Sequence, residues 1–304
     1  MKGLALSKAY FQECFPLLQQ ACPDAMSVAA VGLVGEGSDC FGFDDKISRD
    51  HDWGPGFCIW LPEDKMSDYA EPLQMAYDRL PQVFCDFIRN QQPEATERVG
   101  VMSVEGFYRR YIGYPTGPQT ARQWLSVPES YLAVVTNGRV FYDPNHYFLG
   151  IREHLLRFYP EDVRRKKLAA RVMSLSQAGQ YQFPRCIARG DMPAARLALD
   201  EFLRGFYSAA HLLSRRYTPY YKWMHRSLAE IPQWRSALPL LKKLAASSAV
   251  EFDPEPVEKL CLLLLDELVR QELCLPGDKF LLRHSSEIID GISDPDIRAI
   301  HVPA

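Results

Sequence analysis

The chain has no Cys-x-x-Cys pair, no long apolar run and no marked excess of charge, and each absence removes a class of function. Its 8 cysteines stand singly, at positions 14, 22, 40, 58, 85, 186, 261 and 274. They lack the paired spacing of a zinc ribbon or a redox dithiol, so no zinc site is expected. Buried free thiols in a reducing compartment are the natural reading. The most apolar window, Leu260 to Leu265, is far too short to span a bilayer. The opening residues from Met1 to Lys8 lack the apolar core of a secretory signal, so the expectation is a cytoplasmic protein without a membrane partner. A formal net charge of −3 provides no bulk attraction for nucleic acid.

What is present is the composition of an ordinary globular protein, 47% hydrophobic and 24% charged over 304 residues, long enough for two cores. The texture changes near 145–152. Before it, short apolar runs alternate with helical periodicity. Strands are expected over Ser27 to Val34, Phe57 to Leu61 and Arg98 to Val104, the second continuing a strand begun at Asp50. Helices are expected over 7–21 and 67–89, with Pro81 kinking or splitting the latter. Asn137-Gly138 between Tyr131–Val135 and Arg139–Tyr142 reads as a hairpin turn. After the change the periodicity is helical throughout, over 161–180, 193–216, 218–230, 235–248 and 254–273. Two domains follow, 1–150 and 151–304. The first is α/β (α+β) with a small mixed sheet and the second is an all-α helical bundle.

The densest chemistry lies between the first two strands. Gly35-Glu36-Gly37-Ser38-Asp39 follows an apolar run, and about a dozen residues later comes Asp50-His51-Asp52. On an extended chain, positions i and i+2 face the same way, so Asp50 and Asp52 present paired carboxylates. Carboxylate oxygens suit Mg²⁺, and two such cations about 3.5–4 Å apart serve phosphoryl chemistry. Gly37 lets backbone approach a phosphate, and the Ser38 hydroxyl and neighbouring amides donate to its oxygens. The competing reading has Asp39, Asp44, Asp45 and Asp50 solvating a surface loop. A further one takes His51-Asp52 as part of a metal phosphohydrolase, which would need more histidines nearby.

The order strand, Gly-Ser, loop, Asp-x-Asp, strand resembles the nucleotidyltransferase fold of the DNA polymerase β superfamily. The run from Gly37 to Pro55, with Asn137-to-Pro144 and Arg215-to-Trp223, looks like a bacterial family with a predicted nucleotidyltransferase domain. That likeness covers roughly residues 25 to 250. Aminoglycoside adenylyltransferases share the plan of a small catalytic domain followed by a helical bundle. The sequence departs from the pattern at Trp53-Gly54-Pro55-Gly56, where relatives usually continue an apolar strand.

The resemblance implies transfer of a nucleoside monophosphate, with ATP or another nucleoside triphosphate as donor, Mg²⁺ as cofactor in two ions, and Asp50 and Asp52 as ligands. The acceptor would be a hydroxyl on a small molecule, a protein or an RNA. It also implies a third carboxylate from a neighbouring strand, Glu105 before Asp143, unless Glu105 simply begins a helix over Gly106 to Ile112. Lysines of the helical domain reach the nucleotide phosphates in such enzymes, and Lys222 is the matching position. Around it, Tyr221 offers a stacking face, and Arg185 and Arg189 are further phosphate candidates. The run Arg164-Arg165-Lys166-Lys167 reads as a solvated helix face. The alternative function is a catalytically silent nucleotide-binding module of a regulatory or antitoxin type.

Overall fold

A computed structural model describes residues 1–49, 53–89, 98–246 and 253–301. The protein is mixed α/β, with one small mixed sheet and a helical C-terminal region. It divides into two compact units, Met1–Pro118 with Tyr131–Arg157, and Gln119–Ser130 with Phe158–Ala304. Where texture alone puts one cut near 145–152, the chain enters the helical unit at Gln119, returns at Tyr131 and leaves the first unit after Arg157. The early excursion carries Trp124, whose buried indole packs edge-on against Tyr159 at 5.5 Å between centroids.

Among its described residues the first unit contains six short strands. They are β1 (Ala30–Leu33), β2 (Cys58–Leu61), β3 (Val83–Phe84), β4 (Phe87–Ile88), β5 (Gly100–Ser103) and β6 (Arg139–Tyr142). Four of them form a sheet in the order β5-β2-β1-β6. β1 runs antiparallel to β2 and β6, and β2 runs parallel to β5. Every residue of β1 and β2 is buried, which explains their continuous apolar sequences. The Gly3–Ala21 helix presents Tyr10, Phe11, Cys14 and Leu18 at three- and four-residue intervals to the core that holds Phe57 and Ile59. Leu73 and Tyr77 from the Met66–Asp78 helix complete it.

Several expected elements take another form. Ser27 and Val28 end a short helix, Pro23–Val28, and β1 starts only at Ala30. The expected 67–89 helix stops at Asp78, and β3 and β4 follow as a small hairpin through Cys85 and Asp86, both left-handed. Pro81 lies in the break, where its ring could not continue the helical hydrogen bonding. Asp50, His51 and Asp52 lie outside the described residues. Downstream of them regular pairing begins at Cys58.

The expected hairpin at Asn137-Gly138 is absent because Glu129–Thr136 is helical. A short apolar run does not distinguish a strand from a buried helix, and Leu132 to Val135 are all buried. Gly138 keeps its importance by a different route. It has φ +61°, and a Cβ there would overlap the Leu33 carbonyl.

The second unit is built on the Glu161–Leu175 and Met192–Leu213 helices, with Leu168, Val172, Leu199, Phe202 and Phe206 fully buried. Ser176–Gln182 continues the first of them as a π-helical turn. The solvated face expected of 164–167 is overturned. Arg164 and Lys166 are 3% and 4% exposed. Arg164 forks onto Glu161 and reaches Gln271, while Lys166 Nζ donates to the Arg298 carbonyl at 3.0 Å. Other helices cover this helix on more than one side, so its cations serve as internal donors.

Candidate functional site

The turn after β1 is clamped at Gly35. Asn137 acts as a substitute strand partner for Gly35, accepting from its amide at 3.1 Å and donating to its carbonyl at 2.7 Å. Arg152 fixes this clamp by donating to the Asn137 carbonyl at 2.6 Å. The Gly37 and Ser38 carbonyls accept from Cys40 and Phe43, folding the following residues into a tight coil. Among the described residues, the amides of Glu36, Gly37 and Ser38 have no hydrogen-bond partner. A row of free N–H groups is the kind of backbone element that can cradle an anion.

Two aspartates of this loop are buried and do not solvate it. Asp39 is 3% exposed, accepts from the Cys40 amide at 2.9 Å and pairs with Arg98. Asp44 is 2% exposed and accepts from the Gly3 amide and from Trp53 Nε1. Burial pushes its carboxyl up, but those donors and Lys2 win, and its pKa lies below the usual carboxylate value. Asp45 caps the turn at Ile47 and Ser48.

Arg98 lies directly over the cradle. A Cβ on Gly37 would overlap its guanidinium and Asp39 Oδ1, so a larger residue there would displace these two side chains. Arg98 also lines a cleft of about 330 Å³ with Val34, Ser103, Gly106, Arg110 and Tyr111. Two arginines, a serine and a half-buried tyrosine thus line one space beside the turn. Burial, then the charge of Glu36, pushes the Tyr111 phenol up to about 12, so it is a neutral hydrogen-bonding group at physiological pH. In the sequence Arg98 marks only the start of an expected strand, and neither it nor Arg110 carries a signal for a site role. Arg98 is close to Gly37 only through the sheet, where β2 pairs with β5.

Glu105 is a helix residue and not the end of a strand. β5 stops at Ser103, whose Oγ caps the Val104–Ile112 helix by accepting from the Gly106 amide at 2.8 Å. The Glu105 carboxylate accepts from the Glu63 amide at 2.9 Å and from the Tyr147 hydroxyl at 2.7 Å. Asp143 is similarly occupied, accepting from the Tyr147 and Leu149 amides at the start of the Tyr147–Leu156 helix. Ser103 and Gly106 line the cleft on either side of Glu105, which does not.

In the helical unit a second cavity, about 410 Å³, is lined by Glu129, Lys167, Arg171, Glu201, Ser208 and Thr218 among others. Ser208 donates to Glu129 at 2.9 Å and accepts from Arg171 Nε at 2.9 Å. Lys167 lies 5.2 Å from the Tyr159 ring centre, and burial pulls its pKa below the ordinary value despite Glu129. Thr218 is 2% exposed and its hydroxyl has no partner among the described residues.

None of the expected contact residues lines this cavity. Tyr221 and Lys222 open the Tyr221–Ala229 helix, whose Met224 lines it. Both are exposed, and Lys222 Nζ rests 5.0 Å from the Trp223 ring centre. Arg185 and Arg189 are exposed and are not among its lining residues. Arg185 stacks on Tyr181 at 4.7 Å. Gln180, in the same stretch, is structural, since its amide joins Glu258, the Lys279 carbonyl and the Leu281 amide.

Residues 124–224, about a third of the chain, match a family described as a domain of unknown function (DUF4037). That segment includes every residue lining the 410 Å³ cavity. No curated protein and no solved structure matches this chain.

Proposed function

We propose that this protein is a metal-dependent nucleotidyltransferase that moves a nucleoside monophosphate, AMP from ATP in the simplest case, onto an acceptor hydroxyl. The observation that carries this reading is the turn at Gly35–Ser38. The amides of Glu36, Gly37 and Ser38 have no partner among the described residues, and they follow a buried strand beside Arg98 and a cleft that also holds Arg110. Phosphate oxygens would accept from the Gly37 and Ser38 amides and the Ser38 hydroxyl. Arg98 keeps its charge because Asp39 offsets the cost of its burial. Arg110 adds a second cation for charge that develops on the leaving pyrophosphate.

The carboxylates of Asp50 and Asp52 are hard oxygen donors of the kind Mg²⁺ takes, so the donor set fits the metal that the sequence pattern implies. Bound there, the metal would neutralise triphosphate charge and activate the attacking oxygen. Glu105 and Asp143 each have their oxygens engaged by helix-start amides or a tyrosine. A base role for either requires it to exchange one of those bonds for the acceptor hydroxyl. In the helical unit, Lys222 and Tyr221 would be the residues that contact nucleotide or acceptor.

The test is incubation with α-labelled ATP, Mg²⁺ and candidate acceptors, following pyrophosphate release and label transfer. Asp50→Asn is expected to abolish both while leaving the circular dichroism spectrum unchanged. Transfer unaffected by this substitution would remove the catalytic assignment. Saturable ATP binding without pyrophosphate release would favour the silent nucleotide-binding module.

A further inference from the structure

Cys274, His284 and Glu287 are the one group of metal-capable side chains that converges among the described residues, with ligand atoms all within 4.8 Å of one another. The helix Leu282–Asp290 places His284 and Glu287 on one face by their three-residue spacing. The loop returning from the Glu255–Arg270 helix delivers Cys274 against them. No repeat or motif spacing marks the set, which is why isolated cysteines in the sequence argue against a zinc site.

The hydrogen bonding around His284 points to a cation. The ring is 1% exposed. Its Nε2 lies 2.7 Å from the Asp278 carbonyl, an acceptor only, so Nε2 carries the hydrogen. That fixes Nδ1 as the lone-pair nitrogen of the neutral ring, and Nδ1 sits 3.1 Å from Glu287 Oε2. Two acceptors cannot face each other at this distance without a cation between or beside them, either a proton or a metal ion. A histidine ligand held through its other nitrogen by a backbone carbonyl is the usual outer-shell arrangement of protein zinc.

The third group favours the metal. A proton needs only the imidazole–carboxylate pair, whereas Cys274 adds a sulfur, 9% exposed, to the same space. In a tetrahedral zinc site, neighbouring ligand atoms are roughly 3.3–3.8 Å apart, from Zn–N near 2.0 Å and Zn–S near 2.3 Å. The Nδ1–Oε2 separation of 3.1 Å is slightly shorter than such an edge, and the three ligand atoms all lie within 4.8 Å of one another. Glu287 also accepts from the Leu275 amide at 3.0 Å, which orients its carboxylate.

We propose that Cys274, His284 and Glu287 bind one Zn²⁺ ion, with a fourth position open to water, and that this ion ties the 274–281 loop to the following helix. Thiolate, imidazole and carboxylate together select zinc over Mg²⁺ or Ca²⁺. Binding releases the thiol proton to solvent as the Zn–S bond forms. The site is independent of the proposed transfer reaction and takes a different metal.

The experiment is a Co²⁺ titration of the full chain under reducing conditions, followed by displacement with Zn²⁺. One equivalent of Co²⁺ should produce visible d–d bands and a near-ultraviolet thiolate charge-transfer band, both removed by Zn²⁺. Cys274→Ser should remove the charge-transfer band, and Glu287→Gln should weaken binding at least tenfold. Cys85→Ser, at an exposed cysteine, should change neither. Absence of saturable binding by the wild-type chain overturns the proposal without reliance on any variant. So does a charge-transfer band that survives Cys274→Ser.

Discussion

Acid should destabilise this protein through one buried histidine, and the size of the effect follows from its surroundings. His211 is fully buried in the Met192–Leu213 helix. Its Nδ1 donates to the Tyr207 carbonyl at 2.7 Å and its Nε2 accepts from Ser227 Oγ at 2.8 Å. These bonds describe a neutral ring that links two helices. Burial, against the smaller opposing pull of the Tyr207 carbonyl and Glu129, lowers its pKa from 6.5 to about 4. Between those values the unfolded chain holds a proton that the folded chain rejects. Stability therefore rises with pH across this window, is complete above about pH 6.5, and is lost as pH falls towards 4.

At about 1.4 kcal/mol per tenfold change in proton affinity, the whole window is worth ~3 kcal/mol, and the drop from pH 7 to pH 5 about 2 kcal/mol. Urea denaturation at the two pH values, on wild type and His211→Gln, isolates the effect, because the other titrating groups cancel in the comparison. The variant should be less stable at pH 7 through lost packing, yet lose about 2 kcal/mol less than wild type on acidification. Equal acid losses in the two proteins would refute the reasoning. Histidine burial would then be no guide to the pH response of this chain.

Three further outcomes test the frame around the candidate site. Arg98→Met leaves the Asp39 carboxylate buried without its partner and should cost about 3–5 kcal/mol. Adding Asp39→Leu should recover much of that loss, and chemical denaturation of both variants measures the difference. Asn137→Ala removes both bonds that clamp Gly35 and should cost about 1–3 kcal/mol, with faster amide hydrogen exchange confined to residues near 35–40. Thr218→Val replaces a buried hydroxyl that has no partner, so it should be neutral or stabilising by up to about 1 kcal/mol in thermal or urea unfolding. A loss greater than about 1 kcal/mol would show that Thr218 has a hydrogen bond in the folded chain.

Legibility differed between the halves for a physical reason. The long helices of the second unit repeat their apolar pattern over many turns, so the expected spans 193–216 and 254–273 sit within a few residues of Met192–Leu213 and Glu255–Arg270. The short runs of the first unit carry too few residues to set a period. Tyr131–Val135 has the composition of a strand and the burial of a helix, and Ser27-Val28 ends a helix despite its β-branched neighbour. The run Arg164 to Lys167 misleads in the opposite sense, because charge alone does not say how many neighbours a helix has.

The sequence by itself determined the local chemistry: the Gly-Ser turn, the Asp-x-Asp pair whose residues lie outside the described structure, the lack of a membrane-length apolar run, and the helical second half. Tertiary structure alone decided which distant groups meet that chemistry. Asn137 reaches Gly35, Arg98 covers Gly37, and Cys274 meets His284 and Glu287, none of them at a spacing that any single element would reveal. Local order is encoded in neighbouring residues and their periodicity. Convergence depends on how strands pair and helices pack, and the sequence specifies this only through the sum of many weak contacts.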